Sequence, residues 1–159
     1  MPFLSNGIIG ADLSEEHSTA QFAVGTMATA NDGSEWIYVS AGAAITIYDT
    51  LHISQAFAAN PITPALAITG GKIGFAQRAF TSAYYGWVMT RGNPTIRVGN
   101  LCQDEVPLYT TDTAGMLDDA TASLSQHQVI GVICTDSVSA SESTSTAVAS
   151  FPVIRRPAV

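Results

Sequence analysis

The chain has 159 residues, of which 47% are apolar and 12% are charged, and its formal net charge is -7. A single domain of this length buries enough apolar surface to fold without a disulfide or a metal. The shortage of lysine and arginine argues against nucleic acid and against an anionic membrane surface as partners. No apolar run is long enough for a transmembrane helix, and the first residues lack the pattern of a signal peptide.

Residues 1–26 differ from the rest because apolar side chains are scattered there without a helical or strand period. Asp12 followed by Glu15 predicts one short helical turn with a capping box. The scattered apolar residues cannot bury one another locally, so we expect an extended arm that lies along its own domain or reaches a neighbouring subunit. We predict that the contacts with neighbouring subunits include Phe3, Leu4, Ile8, Ile9, Leu13 and Phe22.

Residues 27–159 have the pattern of a single β domain. Asn31-Asp32-Gly33 predicts a tight turn, and the aromatic and β-branched residues at 34–40 predict the strand that follows it. After a bend of small residues, alternating side chains at 45–48 and 51–53 predict further strands. The remaining strands are predicted over residues 72–80, 85–90, 95–98, 106–110, 128–134 and 147–154.

Short strands separated by frequent turns, without a helical period, predict an all-β fold: a small barrel or sandwich of short antiparallel strands. A weak internal repeat agrees with this prediction. Asp49-x-Leu51 precedes Ile73-Gly74-Phe75, and Val106-x-Leu108 precedes Ile130-Gly131-Val132, with one offset of 57 residues between the two sets. We interpret the repeat as two related β units that fold into one small barrel.

Charged residues are unevenly distributed along the chain. Residues 1–71 contain six acidic and no basic residues, whereas residues 72–159 contain six basic and seven acidic ones. Two ends of different charge can pair head to tail between copies of the chain, or can pair with a partner of matching charge. Chance placement explains the uneven distribution equally well. The Ser- and Thr-rich stretch at 135–146 predicts an exposed connecting loop.

The sequence contains no motif typical of catalysis or metal binding. Cys102 and Cys134 stand alone and predict buried thiols. The three histidines, predicted at the surface or in an interface, lack the spacing of a helical metal pair. Because a nucleophile elbow and a phosphate-binding loop are also missing, we expect no enzymatic activity, no catalytic residues, no metal and no cofactor.

Aromatic side chains cluster in two neighbouring strand candidates. They can form a small β core, an assembly interface or a platform that stacks a sugar, and the first two are the more frequent arrangements. The residues predicted to take part in an interface through these clusters are Trp36, Tyr38, Tyr84, Tyr85 and Trp87.

Short motifs follow one another in a definite order: Ala41-Gly42-Ala43-Ala44-Ile45, Asp49-Thr50-Leu51, Ile73-Gly74-Phe75-Ala76, Gly86-Trp87-Val88, Val106-Pro107-Leu108-Tyr109, Ala114-Gly115-Met116-Leu117 and Ile130-Gly131-Val132. Over residues 40–135 this order resembles the small β-barrel capsid decoration, or cement, proteins of tailed bacteriophages. The resemblance implies a homo-oligomeric structural protein, made in the host cytoplasm, that binds the major capsid protein on the outer surface of the virion and stabilises the shell. It also implies a terminal arm that lies across neighbouring subunits.

Two other classes of function stay open at this point. A different β-type virion component, such as a tail or head-fibre module, would show fibre-like repeats, and none occurs in the sequence. A carbohydrate-binding module or a small β enzyme would present the aromatic clusters as an exposed platform beside polar groups.

Overall fold

The computed structural model describes residues 11–120, 126–139 and 143–155. These residues form an almost entirely β structure, which confirms the predicted all-β class. None of its helical residues forms a segment long and apolar enough to cross a membrane. The elements of the described residues are β1 (Glu16–His17), β2 (Met27–Thr29), β3 (Glu35–Ala41), β4 (Thr50–Ile53), β5 (Ala58–Pro61), α1 (Pro64–Ala67), β6 (Lys72–Phe75), β7 (Tyr85–Gly92), β8 (Thr95–Val98), β9 (Leu108–Thr110), β10 (Leu117–Asp118), β11 (Gln128–Cys134) and β12 (Ser143–Arg155).

Ten of the described strands divide into two units that share one pattern of pairing. In the first unit, β3 pairs antiparallel with β7 and parallel with β5, and antiparallel pairs β5–β4, β4–β6 and β6–β7 close a ring. In the second unit, β8 pairs antiparallel with β12 and parallel with β10, and the antiparallel pairs β10–β9, β9–β11 and β11–β12 close the equivalent ring. The chain therefore builds the same five-stranded arrangement twice.

The register of the strands preserves the offset of the sequence repeat. In the parallel pairs, Ala41 lies opposite Ala59 in the first unit, and Val98 lies opposite Leu117 in the second, 57 and 58 residues further along. The prediction of two related β units is therefore confirmed. The structure agrees with the predicted barrel or sandwich and differs from it in two respects: each unit closes a ring of its own, and each contains one parallel pair.

The long strand β12 joins the two units. Beyond its partners in the second unit, it pairs with β7 at Ala149 and Gly92 and with β6 at Val153 and Lys72. One apolar cluster lies mainly between the strands of the first unit and includes Ile37, Leu51, Ile53, Phe80 and Val88. A second lies mainly in the other unit and includes Ile96, Val98, Leu108, Leu117 and Val129.

Several predicted elements differ from the structure for local reasons. The capping box at Asp12 does not form, because its carboxylate accepts from the N–H of Ser14 at 2.8 Å and makes a turn. Residues 46–48 are not a strand, since the Asp49 carboxylate accepts from the N–H of Thr46 at 2.8 Å and closes a turn there. The strand predicted over 72–80 ends at Phe75.

The predicted loop at 135–146 is only partly a loop. Residues 143–146 belong to β12 and pair with β8, and Ser145 is buried there. Residues 140–142 lie outside the described part of the chain. The tight turn predicted at 31–33 is confirmed, since it links β2 to β3 and places Gly33 at a φ of 82°.

The acidic and the basic parts of the chain form ion pairs with each other within the fold. Three ion pairs join an acidic residue of the first 71 to an arginine beyond it: Glu16 to Arg78 at 3.8 Å, Glu35 to Arg91 at 2.8 Å and Asp49 to Arg97 at 2.6 Å. Each pair joins segments that are far apart in the sequence, so folding brings the two kinds of charge together. Pairing between copies of the chain stays a prediction.

Cys102 and Cys134 are free and buried, as predicted. The interaction with the neighbouring Cys134 thiol raises the pKa of Cys102 and lowers that of Cys134. The Cys102 thiol donates a hydrogen bond to the carbonyl oxygen of Gln103 at 3.7 Å. The two residues are far apart in sequence, so only the closed ring of the second unit brings their sulfur atoms together.

Candidate interaction surface

The predicted aromatic residues fall into two groups of different exposure. Trp36, Tyr38 and Trp87 are buried on one side of β3 and β7, with the rings of Tyr38 and Trp87 centred 5.1 Å apart. Tyr84 and Tyr85 are half-buried, and Tyr85 stacks on Tyr38. The three buried rings contact their own chain and do not offer the exposed platform that a sugar-binding module needs. A role of the two tyrosines in an interface stays a prediction.

Residues 11–26 cover this aromatic cluster. β1 pairs antiparallel with β7, and the N–H of Gly25 donates to the carbonyl oxygen of Tyr38 at 2.7 Å. The Glu16 carboxylate accepts from the N–H of Thr81 at 2.7 Å, on the loop that precedes β7. The described part of the predicted arm is therefore fixed along its own domain at several separate points.

Leu13 and Phe22, which were predicted to contact neighbouring subunits, pack against the aromatic cluster of their own chain. The Phe22 ring lies 5.3 Å from the centroids of both Tyr38 and Trp87. This packing accounts for their apolar character without a neighbour, and any contact with another subunit stays a prediction. The other four predicted arm residues lie outside the described residues: Phe3, Leu4, Ile8 and Ile9.

Replacing Phe22 with alanine is expected to lower the free energy of unfolding by about 2 kcal/mol, because the half-buried ring covers two buried aromatic side chains. Chemical denaturation followed by tryptophan fluorescence measures the change and also reports on the environment of Trp87. A Phe22→Leu variant, which keeps most of the apolar volume, is the control. An unchanged free energy in the alanine variant would show that the segment adds no stability.

A separate apolar face lies on the outer side of the β11–β12 hairpin. We define the apolar face by its side chains, which are 43% to 52% exposed: Ile130, Ile133, Val148, Phe151 and Val153. Ile130 lies opposite Val153, and Ile133 lies opposite Val148, so the side chains form two adjacent cross-strand pairs beside Phe151. Exposed apolar side chains that adjoin in this way typically mark a surface that binds another molecule.

A β-bulge produces the apolar face. Ile130 and Ile133 are three residues apart and would point to opposite sides of a regular strand. The register shifts between Ile130 and Val132, where Gly131 has a φ of 89° and Phe151 on the partner strand has a φ of 47°. Three residues of β12, 150–152, lie opposite Gly131 alone, and this irregularity brings both isoleucines to the outer side. Simple alternation along the sequence therefore could not predict this surface.

Two shallow grooves border the apolar face. One, of about 160 Å³, lies where β12 meets the first unit and is lined by Met27, Ile37, Lys72, Ile73, Phe151 and Val153 among others. The other, of about 220 Å³, runs beside β11 and is lined by Val106, Pro107, Ile130 and Ile133 among others. The grooves extend the apolar surface on both sides, so an extended segment or a ridge of a partner could lie across it.

In the described part of the chain, the histidines form no recognisable catalytic arrangement. His52 and His127 are 5% and 6% exposed, whereas the sequence predicted surface or interfacial positions. A ring nitrogen of His52 contacts the carbonyl oxygen of Gly70 and the hydroxyl of Thr69, and neither is a carboxylate that could orient a base. The turn at Gly70 folds over β4 and buries the imidazole.

Comparison with known proteins does not identify the chain. No family model matches it, and no curated protein matches it by sequence.

Proposed function

We propose that this chain is a structural protein of a tailed-phage virion that binds the outer surface of the capsid and stabilises the shell. The major capsid protein is its partner, and copies of the chain occupy the capsid lattice as dimers or trimers. The proposal involves no enzymatic reaction, no nucleic acid and no membrane. The order of motifs over residues 40–135 supports it.

The apolar face on β11 and β12 is the single observation that supports the proposal best. Only 12% of the residues are charged, and five apolar side chains lie exposed side by side. Covering them with another protein surface removes them from water, which stabilises the complex. Each copy needs only a modest contact, because a capsid lattice presents the binding site many times and linked copies bind with high avidity.

The arm supplies a second contact in this proposal. Residues 11–26 are fixed on the first unit by β1 and by the packing of Phe22. In this proposal the four predicted arm residues that precede them in the sequence contact a neighbouring subunit. The residues concerned are Phe3, Leu4, Ile8 and Ile9.

The alternatives differ from this proposal in measurable ways. A tail or head-fibre module would use the apolar face equally well, but it would be present in few copies on each particle. A sugar-binding module is less well supported, since Trp36, Tyr38 and Trp87 are buried beneath residues of the same chain.

Quantitative mass spectrometry of purified virus particles tests the proposal directly. We expect the ratio of this chain to the major capsid protein to be a fixed fraction of the lattice, for example one copy for each capsid subunit. A handful of copies per particle would favour a tail or fibre component. Complete absence from the particles would overturn the proposal and make a sugar-binding screen the next experiment.

A further inference from the structure

Two exposed cations border the apolar face at one end. Lys72 on β6 lies directly opposite Val153 on β12, and Val153 in turn lies opposite Ile130 on β11. Arg155 is two residues beyond Val153 on the same strand, so both side chains point to the same side of the sheet. Lys72 and Arg155 are both exposed. The edge of the apolar face around Val153 therefore carries two positive charges.

The fold does not neutralise these two cations. The sequence has 13 acidic and 6 basic residues. Of the five basic residues in the described part of the chain, three form an ion pair with a carboxylate, and the other two are Lys72 and Arg155. The Lys72 amine lies 4.9 Å from the centroid of the Phe57 ring, a contact that supplies no negative charge. An acidic protein thus leaves both of these cations unpaired beside one apolar face.

The two ends of the apolar face carry opposite charges. Glu105 is exposed and lines the groove beside β11. Its N–H donates to the carbonyl oxygen of Cys134 at 3.1 Å, which places it at the last residue of β11. Arg155 pairs with Gln128, the first residue of that strand, so the cations lie at the other end. A partner whose charges are complementary is therefore favoured in one orientation.

The groove beside Lys72 is apolar apart from this one cation. The buried side chains of Ile37 and Ile73 line it together with the exposed side chains of Met27 and Phe151. Lys72 is the only charged residue among the described residues that line it. A partner that places an apolar side chain in the groove brings its neighbouring groups close to a cation and to no anion. A carboxylate is the group that this position favours.

We propose that the partner surface that covers the apolar face is itself apolar at its centre and carries carboxylates where it meets Lys72 and Arg155. This inference rests on the proposed function, because it assigns a chemical character to the surface of the major capsid protein that the chain binds. Contact between the two apolar centres supplies most of the binding free energy. The ion pairs at the edge fix the orientation of the two proteins and accelerate their association.

Carbodiimide cross-linking tests the inference directly, because Lys72 is the only lysine in the sequence. The reagent joins an amine to a carboxylate without a spacer, so it links only groups that are already in contact. The unchanged chain is bound to particles that lack it, treated with the reagent and digested. We expect mass spectrometry to identify an amide between Lys72 and an aspartate or glutamate of the major capsid protein. Lys72→Arg, which keeps the charge and loses the amine, is expected to bind normally and to give no such product.

Two variants of equal net charge measure what the cations contribute to binding. Lys72→Gln with Arg155→Gln makes the chain more negative by two charges. Thr113→Glu with Ala114→Glu makes the same change in an exposed turn between β9 and β10, outside both grooves. At about 0.05 M salt we expect the glutamine variant to bind particles at least about tenfold more weakly than the unchanged chain, and at about 1 M salt, where screening is strong, the difference is expected to shrink. The glutamate variant is expected to bind as the unchanged chain does.

The possible outcomes separate this inference from the proposed function. If the unchanged chain binds the particles but forms no cross-link from Lys72 to a capsid carboxylate, the inference is overturned and the proposed function stands. The same holds if the glutamine and glutamate variants bind equally well. A cross-link from Lys72 to another copy of the chain would also overturn it and would show that the apolar face joins copies. If the unchanged chain does not bind the particles at all, the proposed function fails and the inference fails with it.

Discussion

Replacing Arg97 with methionine is expected to lower the free energy of unfolding by about 3 kcal/mol, because it leaves the buried Asp49 carboxylate without its cation. The Asp49 side chain is 3% exposed, and its oxygen lies 2.6 Å from a guanidinium nitrogen of Arg97. The same carboxylate accepts from the N–H of Thr46, so it cannot turn away to solvent without opening that turn. Urea denaturation followed by circular dichroism measures the loss.

Arg91→Met is the matched control for this prediction. The Arg91 side chain is 51% exposed, so its ion pair with Glu35 is solvated and its removal is expected to cost less than about 1 kcal/mol. Adding Asp49→Asn to Arg97→Met is expected to restore part of the lost stability, since a neutral side chain needs no cation and can still accept from Thr46. Equal losses in the two methionine variants would show that burial is not the cause.

The double variant Ile133→Ser and Val148→Ser is expected to bind capsids at least about tenfold more weakly than the unchanged chain, because it removes the central pair of the apolar face. Both side chains are about half exposed in the isolated chain. The free energy of unfolding is therefore expected to change by less than about 1 kcal/mol. Binding is measured by sedimenting the protein with particles that lack it, over a range of protein concentrations.

Thr144→Ala with Thr146→Ala is the control for surface substitutions, since both threonines are exposed on β12 outside the apolar face. This variant is expected to bind as the unchanged chain does. If the serine variant also binds normally while the chain remains folded, the apolar face is not the surface that meets the capsid. A contact through the arm would then be the remaining explanation within the proposed function.

Local signals in the sequence were enough to place most strands. The strand at 128–134 was predicted with its correct bounds, and it is rich in β-branched residues, which favour strands. The helix α1 was missed, although Thr63 followed by Pro64 is a recognisable start: the Thr63 hydroxyl accepts from the N–H of Leu66. A four-residue helix has no period for sequence analysis to detect.

The internal repeat was underestimated because its two matched motifs are short. A further pair of tetrapeptides, Pro94-Thr95-Ile96-Arg97 and Pro152-Val153-Ile154-Arg155, has nearly the same spacing. Strand pairing preserves the repeat where side chains have diverged, since backbone hydrogen bonds depend little on side-chain identity.

The candidate surfaces were harder to predict than the fold. The apolar face depends on a bulge in the paired strands β11 and β12, which brings Ile133 to the same side as Ile130. The buried pair of Asp49 and Arg97 depends on folding that brings together residues 48 positions apart in the sequence. Each requires knowledge of which strands become neighbours, and a single sequence gives only weak information about pairing over long separations.

The position of β12 imposes an order on how the protein matures. This strand contacts β6, β7, β8 and β11, and a ribosome makes it after all four. The first ring can close while synthesis continues, whereas the second keeps open strand edges until β12 arrives. Val148, Phe151 and Val153 belong to β12, so the apolar face is complete only after β12 has been made and has paired with β11. Under the proposed function, an unfinished chain therefore lacks three of the five side chains with which the complete apolar face binds its partner.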